Sequence, residues 1–382
     1  MTKRRWWAAT CAALLLAAAV ALLPAGRDET VPVFAMARPP AEWPTDPSHA
    51  QEFRALALRR AKVWQPPNAP ADLASNPVDP SGALSQPVVR CRFLSKRAHG
   101  TSPKFDCVLP DGEIVKVKYG TYEVQAELAA TRLLTALGFG ADRMFLVARV
   151  RCYGCPRFPF YVTWLLDHLH ARAFAARHLA DDRYTDFEWA AVERRFEGAT
   201  IEAPDAKGWA WWELDQVDPA SGASRAELDA LRIIAMFLAH WDNKAPNQRL
   251  VCLDPPGPRP EPCRRPFAII QDLGATFGPN KVDLPQWKAT PIWADAHRCT
   301  ISMRKLPYGG ATFPDVHITE RGRQLIAREL AALDNHQVVS LFSTLRFGEL
   351  DGGVESGAEV NAWAQVFLEK VRQITGAGPC PS

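Results

Sequence analysis

A short stretch near the middle of the chain, AHWDNKAPN at 239–247, concentrates side chains that could handle a phosphate ester. Asp242 and Asn247 are five positions apart, and Lys244 lies between them. A carboxylate can orient or deprotonate a hydroxyl, and an amide oxygen is a ligand that Mg²⁺ and Mn²⁺ accept. A second carboxylate, Asp272, follows in an Asp-Leu-Gly turn. This set suits phosphoryl transfer, which relies on positioning and on charge neutralisation by metal ions.

The same chemistry needs a cation on the nucleotide phosphates and an acid that holds this cation in place. Lys116 and Lys118 lie on one face of a predicted strand, because side chains alternate along a strand, and both are candidates. We favour Lys118, which directly precedes Tyr-Gly at the strand end. Glu123 and Glu127 follow on a predicted amphipathic helix. One of these two acids is expected to hold the lysine.

The apolar run before residue 239 predicts the helix that positions the stretch. Leucine and isoleucine recur at helical spacing over 224–240, and Ser224 with Glu227 forms an N-terminal capping box. Charged groups are costly to bury without partners, so a core helix that ends in such a turn indicates a functional scaffold. We expect Lys244 and a metal ion to offset the carboxylates. His240 is expected to pack beside Asp272 rather than to act as a base.

The order of elements predicts an α+β, two-lobed fold. Predicted strands occupy 88–96, 105–109, 113–120, 143–151 and 158–166, with a helix at 123–139. Beyond residue 166, predicted helices occupy 185–196, 224–240, 319–333, 335–345 and 357–375, with short strands at 248–253 and 267–272. We predict a small antiparallel β lobe with one helix, followed by a larger helical lobe.

Three segments resemble atypical secretory-pathway kinases of the Golgi casein kinase type, whose relatives include the glycan xylosyl kinases. The Asp–Asn spacing is also that of the eukaryotic protein-kinase catalytic loop, H-R-D-L-K-x-x-N. The matching segments are the Glu-bearing helix AELAATRLLTALGF (126–139), the catalytic segment MFLAHWD (236–242) and the metal segment AIIQDLGATFG (268–278). The resemblance covers about 88–345. It selects Glu127 over Glu123, and the later Cys299 also fits it.

The resemblance implies a protein-kinase-like fold and a secreted kinase that has disulfides and uses ATP with Mn²⁺ or Mg²⁺. The acceptor would be a hydroxyl of a protein or glycan. The implied roles are catalysis for Asp242 and Lys244, nucleotide binding for Lys118 or Lys116 with Glu127, and metal binding for Asp272 and Asn247.

Two features depart from ordinary protein kinases. No G-x-G-x-x-G precedes the lysines, and Trp241 stands where the usual arginine would be. The atypical family also lacks the glycine-rich form. Two alternatives remain open: a catalytically silent pseudokinase that acts as a binding module at the cell envelope, and a nucleotidyl transferase built on the same fold.

The amino terminus predicts export. Lys3, Arg4 and Arg5 precede an 18-residue uncharged stretch, 6–23, which is either a cleaved signal peptide or a membrane anchor. The expected location is therefore the periplasm, the cell envelope or a secretory lumen, with the membrane as partner if the segment is retained.

The cysteines agree with this location. Eight follow Cys11, and an even number in an exported chain predicts disulfides. Cys91–Cys107 would join adjacent strands, and Cys252–Cys263 would close a proline-rich excursion. For the Cys152-Tyr-Gly-Cys155 turn we favour a structural disulfide over metal or redox use. The remaining cysteines expected in disulfides are Cys299 and Cys380.

Composition completes the predicted organisation. The chain has 382 residues, 47% hydrophobic, and a net charge of +3, which gives no case for nucleic-acid binding. The predicted parts are a signal or anchor (1–37), a proline-rich linker with a short helix capped by Ser48 and Gln51 (38–87), an N-terminal kinase-like lobe (88–165) and a C-terminal helical lobe (166–382).

Overall fold

A computed structural model describes residues 24, 26–44, 47–67, 71–96, 100–120, 123–168, 181–257, 260–308, 315–349 and 357–381. The predicted apolar segment 6–23 lies outside these residues. No helix within them has both the length and the apolar character to cross a membrane.

The helices of the described residues, labelled in chain order, are α1 (Ala50–Arg60), α2 (Val124–Ala136), α3 (Pro159–His168), α4 (Arg225–Phe237), α5 (Leu284–Ala289), α6 (Glu320–Ala331), α7 (Asn335–Thr344) and α8 (Gly357–Thr375). The strands are β1 (Gly26–Arg27), β2 (Val89–Leu94), β3 (Lys104–Val108), β4 (Ile114–Lys118), β5 (Arg143–Tyr153), β6 (Arg183–Arg194), β7 (Ala199–Thr200), β8 (Gln248–Cys252), β9 (Pro266–Ile270), β10 (Thr300–Ile301) and β11 (Val316–His317). The protein is therefore a mixed α and β structure.

The chain forms two compact units, each assembled from separate stretches. The first unit contains Met1–Pro39, Val78–Gly120 and Phe145–Arg194, and the second contains Pro40–Pro77, Thr121–Met144 and Arg195–Ser382. This division differs from the predicted boundaries 88–165 and 166–382. The reason is that β6 belongs with the strands of the first unit, whereas α2 belongs with the second.

The first unit is built around a sheet that closes on itself. Its strand order is β1-β6-β4-β3-β2-β5, and β5 also pairs with β6, so that five strands form a ring. Strand β2 runs parallel to β5, whereas the β2–β3, β3–β4 and β4–β6 pairs are antiparallel. The prediction of an antiparallel lobe is therefore wrong for one strand pair. Phe105, Val115, Val117, Phe145 and Val192 belong to its buried core.

Two elements of the first unit were predicted with the wrong type. Residues 158–166, predicted as a strand from their aromatic content, form helix α3, in which proline occupies the favoured first position. Residues 185–196, predicted as a helix, belong largely to strand β6. Pairing with β4 and β5 builds β6 into the ring and buries residues 190–194 on both sides, and this tertiary contact outweighs local propensity.

The short helix predicted in the proline-rich segment 38–87 is present as α1, and it packs within the second unit. In helix α1, Arg54 donates to both carboxylate oxygens of Glu213 at 2.8 and 2.9 Å, and Ala57 and Leu58 are buried. The predicted cap is wrong. His49 precedes the helix and makes no side-chain capping bond, while Ser48 Oγ lies 3.0 Å from His49 Nδ1.

The second unit has an aromatic core around its helices. Phe277 stacks on Trp287 with ring centroids 4.3 Å apart, and Phe342 stacks on Trp363 at 5.9 Å. Phe237, the last residue of α4, contacts Trp287 edge-on and accepts its indole hydrogen bond through the main-chain carbonyl. This packing fixes the carboxyl end of α4, from which the candidate stretch emerges.

Three cysteine pairs are disulfides, which is consistent with an oxidising, exported compartment. They are Cys91–Cys107, Cys252–Cys263 and Cys299–Cys380. The expected bridge between Cys152 and Cys155 is absent, and both are buried free thiols. Because β5 stays extended through Tyr153, the Cys152 side chain enters the core, with its Sγ 3.8 Å from Cys107 Sγ. Burial raises the pKa of both thiols and keeps them protonated.

Candidate functional site

Helix α4 begins and ends where the sequence predicts. Ser224 Oγ accepts from Glu227 N, and the Glu227 carboxylate accepts from Ser224 N, which completes the capping box. At the other end Ala239 has a φ of 51°, a left-handed conformation in which a helix terminates. His240 N then donates to Ala235 O at 3.0 Å. The chain leaves the core at this point: Trp241 and Asp242 are half-buried and Lys244 is exposed, whereas Asn243 stays buried.

The turn after the helix holds the predicted catalytic carboxylate near the surface. The Asp242 side chain is 29% exposed, and its oxygens lie 3.0 and 3.3 Å from Lys244 Nζ. Asn247 Nδ2 donates to Asp242 O at 2.7 Å, which closes the turn. The expected charge partner of Asp242 is therefore in place. Among the predicted residues, Asp242, Lys244 and Asn247 form one local network.

Strand pairing brings the third predicted residue to this turn. The β8–β9 hairpin pairs Gln248 with Ile270, so Asn247 and the residues after Ile270 leave the sheet side by side. Asn247 O accepts from the backbone N–H groups of Gln271 and Asp272, at 3.0 and 3.1 Å. The two segments that the sequence singled out are thus joined by backbone hydrogen bonds.

Helix α2 supplies two further carboxylates to the same place. Glu123 precedes the helix and Glu127 lies one turn later, so both project from its first turn. One carboxylate oxygen from each of Glu123, Glu127 and Asp272 forms a group whose members all lie within 4.8 Å of one another. The Glu127 side chain is fully buried. The sequence identified Glu123 and then set it aside in favour of Glu127, whereas the structure brings both to Asp272.

The approach of Glu123 explains the glycine of the Asp-Leu-Gly turn. A Cβ atom on Gly274 would lie 2.8 Å from Glu123 Oε2 and 2.9 Å from its Cδ. Any larger residue would therefore push Glu123 away from the carboxylate group. Asp272 Oδ1 accepts from Gly274 N at 3.3 Å, which helps to orient this carboxylate.

A lysine that sequence reasoning missed balances part of this negative charge. Lys281 Nζ lies 3.0 Å from Glu123 Oε1, and the two side chains are 19% and 12% exposed. The Tyr308 hydroxyl donates to Lys281 O at 3.2 Å. No motif marks Lys281 in the sequence, because its role depends on a chain reversal after Gly278.

His240 is buried behind these carboxylates. It is fully buried, and burial lowers its pKa to about 4 although Asp272 and Asp242 act to raise it. The imidazole is therefore neutral at pH 7, in agreement with a packing role. A residue with so low a pKa accepts a proton too weakly to serve as a base at neutral pH.

In the first unit, the predicted lysines share an acid that the sequence analysis did not identify. Lys116 Nζ lies 2.7 Å from Glu193 Oε1, and Lys118 Nζ lies 3.7 Å from Glu193 Oε2. Lys118 is 3% exposed and Lys116 is more accessible. Glu193 was missed because its strand was predicted as a helix. Glu127 belongs to the second unit, and its pairing with Lys118 stays a prediction.

The carboxylate group of the second unit fits a divalent cation. Carboxylates this close repel one another unless a cation or a shared proton offsets their charge. Oxygen donors are the ligands that Mg²⁺ and Mn²⁺ prefer, and three carboxylates provide the required negative charge. The set differs from the prediction, which named Asp272 and Asn247, because it adds two glutamates.

No family model matches the chain, and no curated protein matches it. Among solved structures, it is similar to the proinflammatory kinase CtkA of Helicobacter pylori, with 9% identity and a TM-score of 0.39. The likeness covers 81% of this chain and 98% of that one. At this level it establishes neither a shared fold nor a shared activity.

Proposed function

We propose that this chain is an exported, metal- and ATP-dependent kinase with a protein-kinase-like fold. The acceptor is a hydroxyl group of a protein or a glycan. The proposal is based mainly on one observation. Backbone hydrogen bonds to Asn247 O hold Asp272 beside the turn that contains Asp242 and Asn247. The Glu123–Glu127–Asp272 carboxylate group lies at the same Asp272.

Each carboxylate has an environment suited to a different task. Asp242 is partly exposed and next to a lysine, so it can meet an acceptor that comes from solvent. It would orient the acceptor hydroxyl and take its proton. Glu127 is fully buried, Glu123 and Asp272 are half-buried, and the three carboxylates lie close to one another. They would hold Mn²⁺ or Mg²⁺, which neutralises phosphate charge during transfer.

Lysines would complete the neutralisation. Lys118 is the proposed ligand of the nucleotide phosphates, with Lys116 as the alternative. Both already contact a carboxylate, Glu193, which fixes them on one face of β4. Lys244 would partly neutralise the charge of Asp242. Asn247 Oδ1 would add a neutral oxygen ligand for the metal.

The proposed function is tested by following the γ-phosphate and the α-phosphate of ATP in separate experiments. The full chain is incubated with Mn²⁺ and ATP labelled at either the γ- or the α-phosphate, with a panel of protein and oligosaccharide acceptors. We expect γ-label on an acceptor or on the chain itself, and no α-label. Asp242→Asn is the comparison variant, with Asp295→Asn as its control, because Asp295 is an acid of the second unit whose side chain is 44% exposed.

Other outcomes separate the alternatives. Transfer of α-label would show nucleotidyl transfer and contradict the kinase proposal. Metal-dependent ATP binding without transfer to any acceptor would favour the silent pseudokinase. Transfer that is equally fast in Asp242→Asn would place the chemistry elsewhere in the chain.

A further inference from the structure

Helix α3 of the first unit carries apolar side chains on both its buried and its outer face, and its polar end is formed by Asp167 and His168. One face is buried and contains Phe160, Val162 and Thr163. The other, with the residue that precedes the helix, carries four large side chains that remain exposed. These are Phe158 (45% exposed), Tyr161 (55%), Trp164 (50%) and Leu165 (43%), which we call the aromatic face.

The spacing makes the aromatic face one continuous surface. Its residues recur at intervals of three and four, which is one turn of a helix. An ordinary surface helix has a polar outer side, and a helix that is apolar all round is normally buried or in contact with lipid. Contiguous exposed apolar side chains mark an interaction surface, unlike single exposed residues.

We propose that the aromatic face docks on a lipid bilayer that contains anionic headgroups. Tyrosine and tryptophan prefer the boundary between water and lipid, because each combines an apolar ring with a polar group. The sequence that follows α3, residues 169–180, contains two arginines and two histidines and lies between Asp167 and the Asp181–Asp182 pair. Apolar side chains beside basic sequence are the combination that binds anionic membrane surfaces.

The amino terminus ties the same unit to the predicted membrane segment. Strand β1 begins at Gly26, three residues after segment 6–23, and pairs with β6 through Gly26–Tyr184 and Arg27–Arg183. Since an extended chain spans about 3.6 Å per residue, β1 lies within about 10 Å of the end of that segment. A bilayer that holds residues 6–23 therefore lies beside the first unit.

The chain segment that leads into helix α3 also lies beside strand β1. Gly154 N donates to Arg183 O at 2.8 Å, and Arg183 is the residue that pairs with Arg27. The helix starts five residues after Gly154, a distance of at most about 18 Å along the chain. If segment 6–23 is retained as an anchor, strands β1 and β6 connect it to the aromatic face, which favours lipid over a soluble partner as the occupant.

The test uses the full chain reconstituted in vesicles. The vesicles contain phosphatidylcholine with or without phosphatidylglycerol, and a lipid with a photoactivatable group near the top of its acyl chain. After illumination, labelled peptides are mapped by mass spectrometry. We expect label in the peptide that contains Tyr161 and Trp164, at least several-fold stronger when phosphatidylglycerol is present.

Matched variants make the result specific. The double variant Tyr161→Ser/Trp164→Ser should lose most of this label while keeping the thermal midpoint, because both side chains are exposed. The control is Trp212→Ser, which removes a 59% exposed tryptophan of the second unit and should change nothing. Label in the α3 peptide that survives the double variant would overturn the role of these side chains.

Three further results would overturn the proposal or part of it. Label confined to 6–23 would show that the aromatic face stays away from lipid. Zero-length cross-links between the α3 peptides of two chains, with no lipid label, would assign the face to a second copy. Equal labelling in pure phosphatidylcholine would overturn the requirement for anionic headgroups.

Discussion

At the scale of single residues, the site combines one partly exposed carboxylate beside a lysine with a separate group of three carboxylates. Asp242 meets solvent and a lysine, whereas Glu123, Glu127 and Asp272 meet one another. This difference in surroundings supports the proposal that Asp242 meets the acceptor and that the group holds the metal. The two assignments make separate predictions, because a change at one should leave the other intact.

Asp242→Asn should lower kcat by about 10²–10⁴-fold, the usual effect of removing a general base. ATP affinity should stay within twofold of wild type, because Asp242 lies outside the carboxylate group that would bind the metal. Steady-state kinetics and a nucleotide titration on the same preparation check both parts. An unchanged kcat would contradict the catalytic role.

Lys281→Met should strengthen Mn²⁺ binding. The lysine ammonium occupies a position beside Glu123 and repels any cation in the carboxylate group. At an effective dielectric constant near 20, a unit charge at such distances contributes on the order of 1–3 kcal/mol, so affinity should rise about tenfold. Paramagnetic resonance of free Mn²⁺ measures this directly. Lys288→Met, an exposed lysine in α5, is the control, and weaker binding in Lys281→Met would show that Lys281 supports the metal instead.

At the scale of elements, the end of α4 is held in a conformation that alanine disfavours. Ala239 has a φ of 51°, which costs an L-residue with a side chain roughly 1 kcal/mol relative to glycine. Ala239→Gly should therefore stabilise the protein by about 0.5–1 kcal/mol, since strain is relieved although unfolded-state entropy rises. Ala235→Gly, inside the same helix, should destabilise by about 1 kcal/mol or more. Chemical denaturation compares the two, and equal destabilisation would contradict the account of this helix end.

Another element-scale prediction concerns the end of the proline-rich segment. Arg194, the last residue of β6, donates to Asp79 at 2.6 Å and to Glu113 at 2.9 Å. Burial alone would raise the pKa of Asp79, but the bonds from Arg194, Ser81 and Leu84 outweigh it and lower the pKa to about 2. Asp79→Asn leaves Arg194 only partly paired and should cost about 2–4 kcal/mol at neutral pH.

The pH dependence of this pair has a defined sign. Because the pKa of Asp79 is about 2 in the folded state and 3.8 for a free side chain, its stabilisation is complete above pH 4. It is lost as the pH falls towards 2, by about 2 kcal/mol in all. Wild type should thus lose this much more stability than Asp79→Asn between pH 4.5 and 2. Identical pH profiles for the two proteins would refute the pairing.

Local signals predicted the parts of the structure that depend on neighbours in sequence. The capping box at Ser224 marked the start of α4, and strand alternation placed Lys116 and Lys118 on one face. The paired cysteines of the two hairpins were also evident from short separations. Each of these features depends on residues that are close in the sequence, at most 16 positions apart.

At the scale of the whole molecule, sequence reasoning failed where distant strands meet. The ring of the first unit depends on β6, which its local pattern presented as a helix, and this hid Glu193. Helix α3 looked like a strand because its outer face is as apolar as its buried face. Lys281 reaches Glu123 because the chain reverses direction after Gly278, and no local sequence pattern predicts this reversal. Free thiols at Cys152 and Cys155 likewise follow from the course of β5 through the core.

The central claim is that the Glu123–Glu127–Asp272 group binds the metal that holds a nucleotide. Isothermal titration of the full chain with ATP, in the presence and absence of Mn²⁺, tests it most directly, with Asp272→Asn and the control Asp295→Asn measured in parallel. The account predicts one ATP per chain only when Mn²⁺ is present, with an affinity at least about a hundredfold weaker in Asp272→Asn because a charged metal ligand is lost. ATP binding that is independent of Mn²⁺, or unchanged in Asp272→Asn, would contradict it.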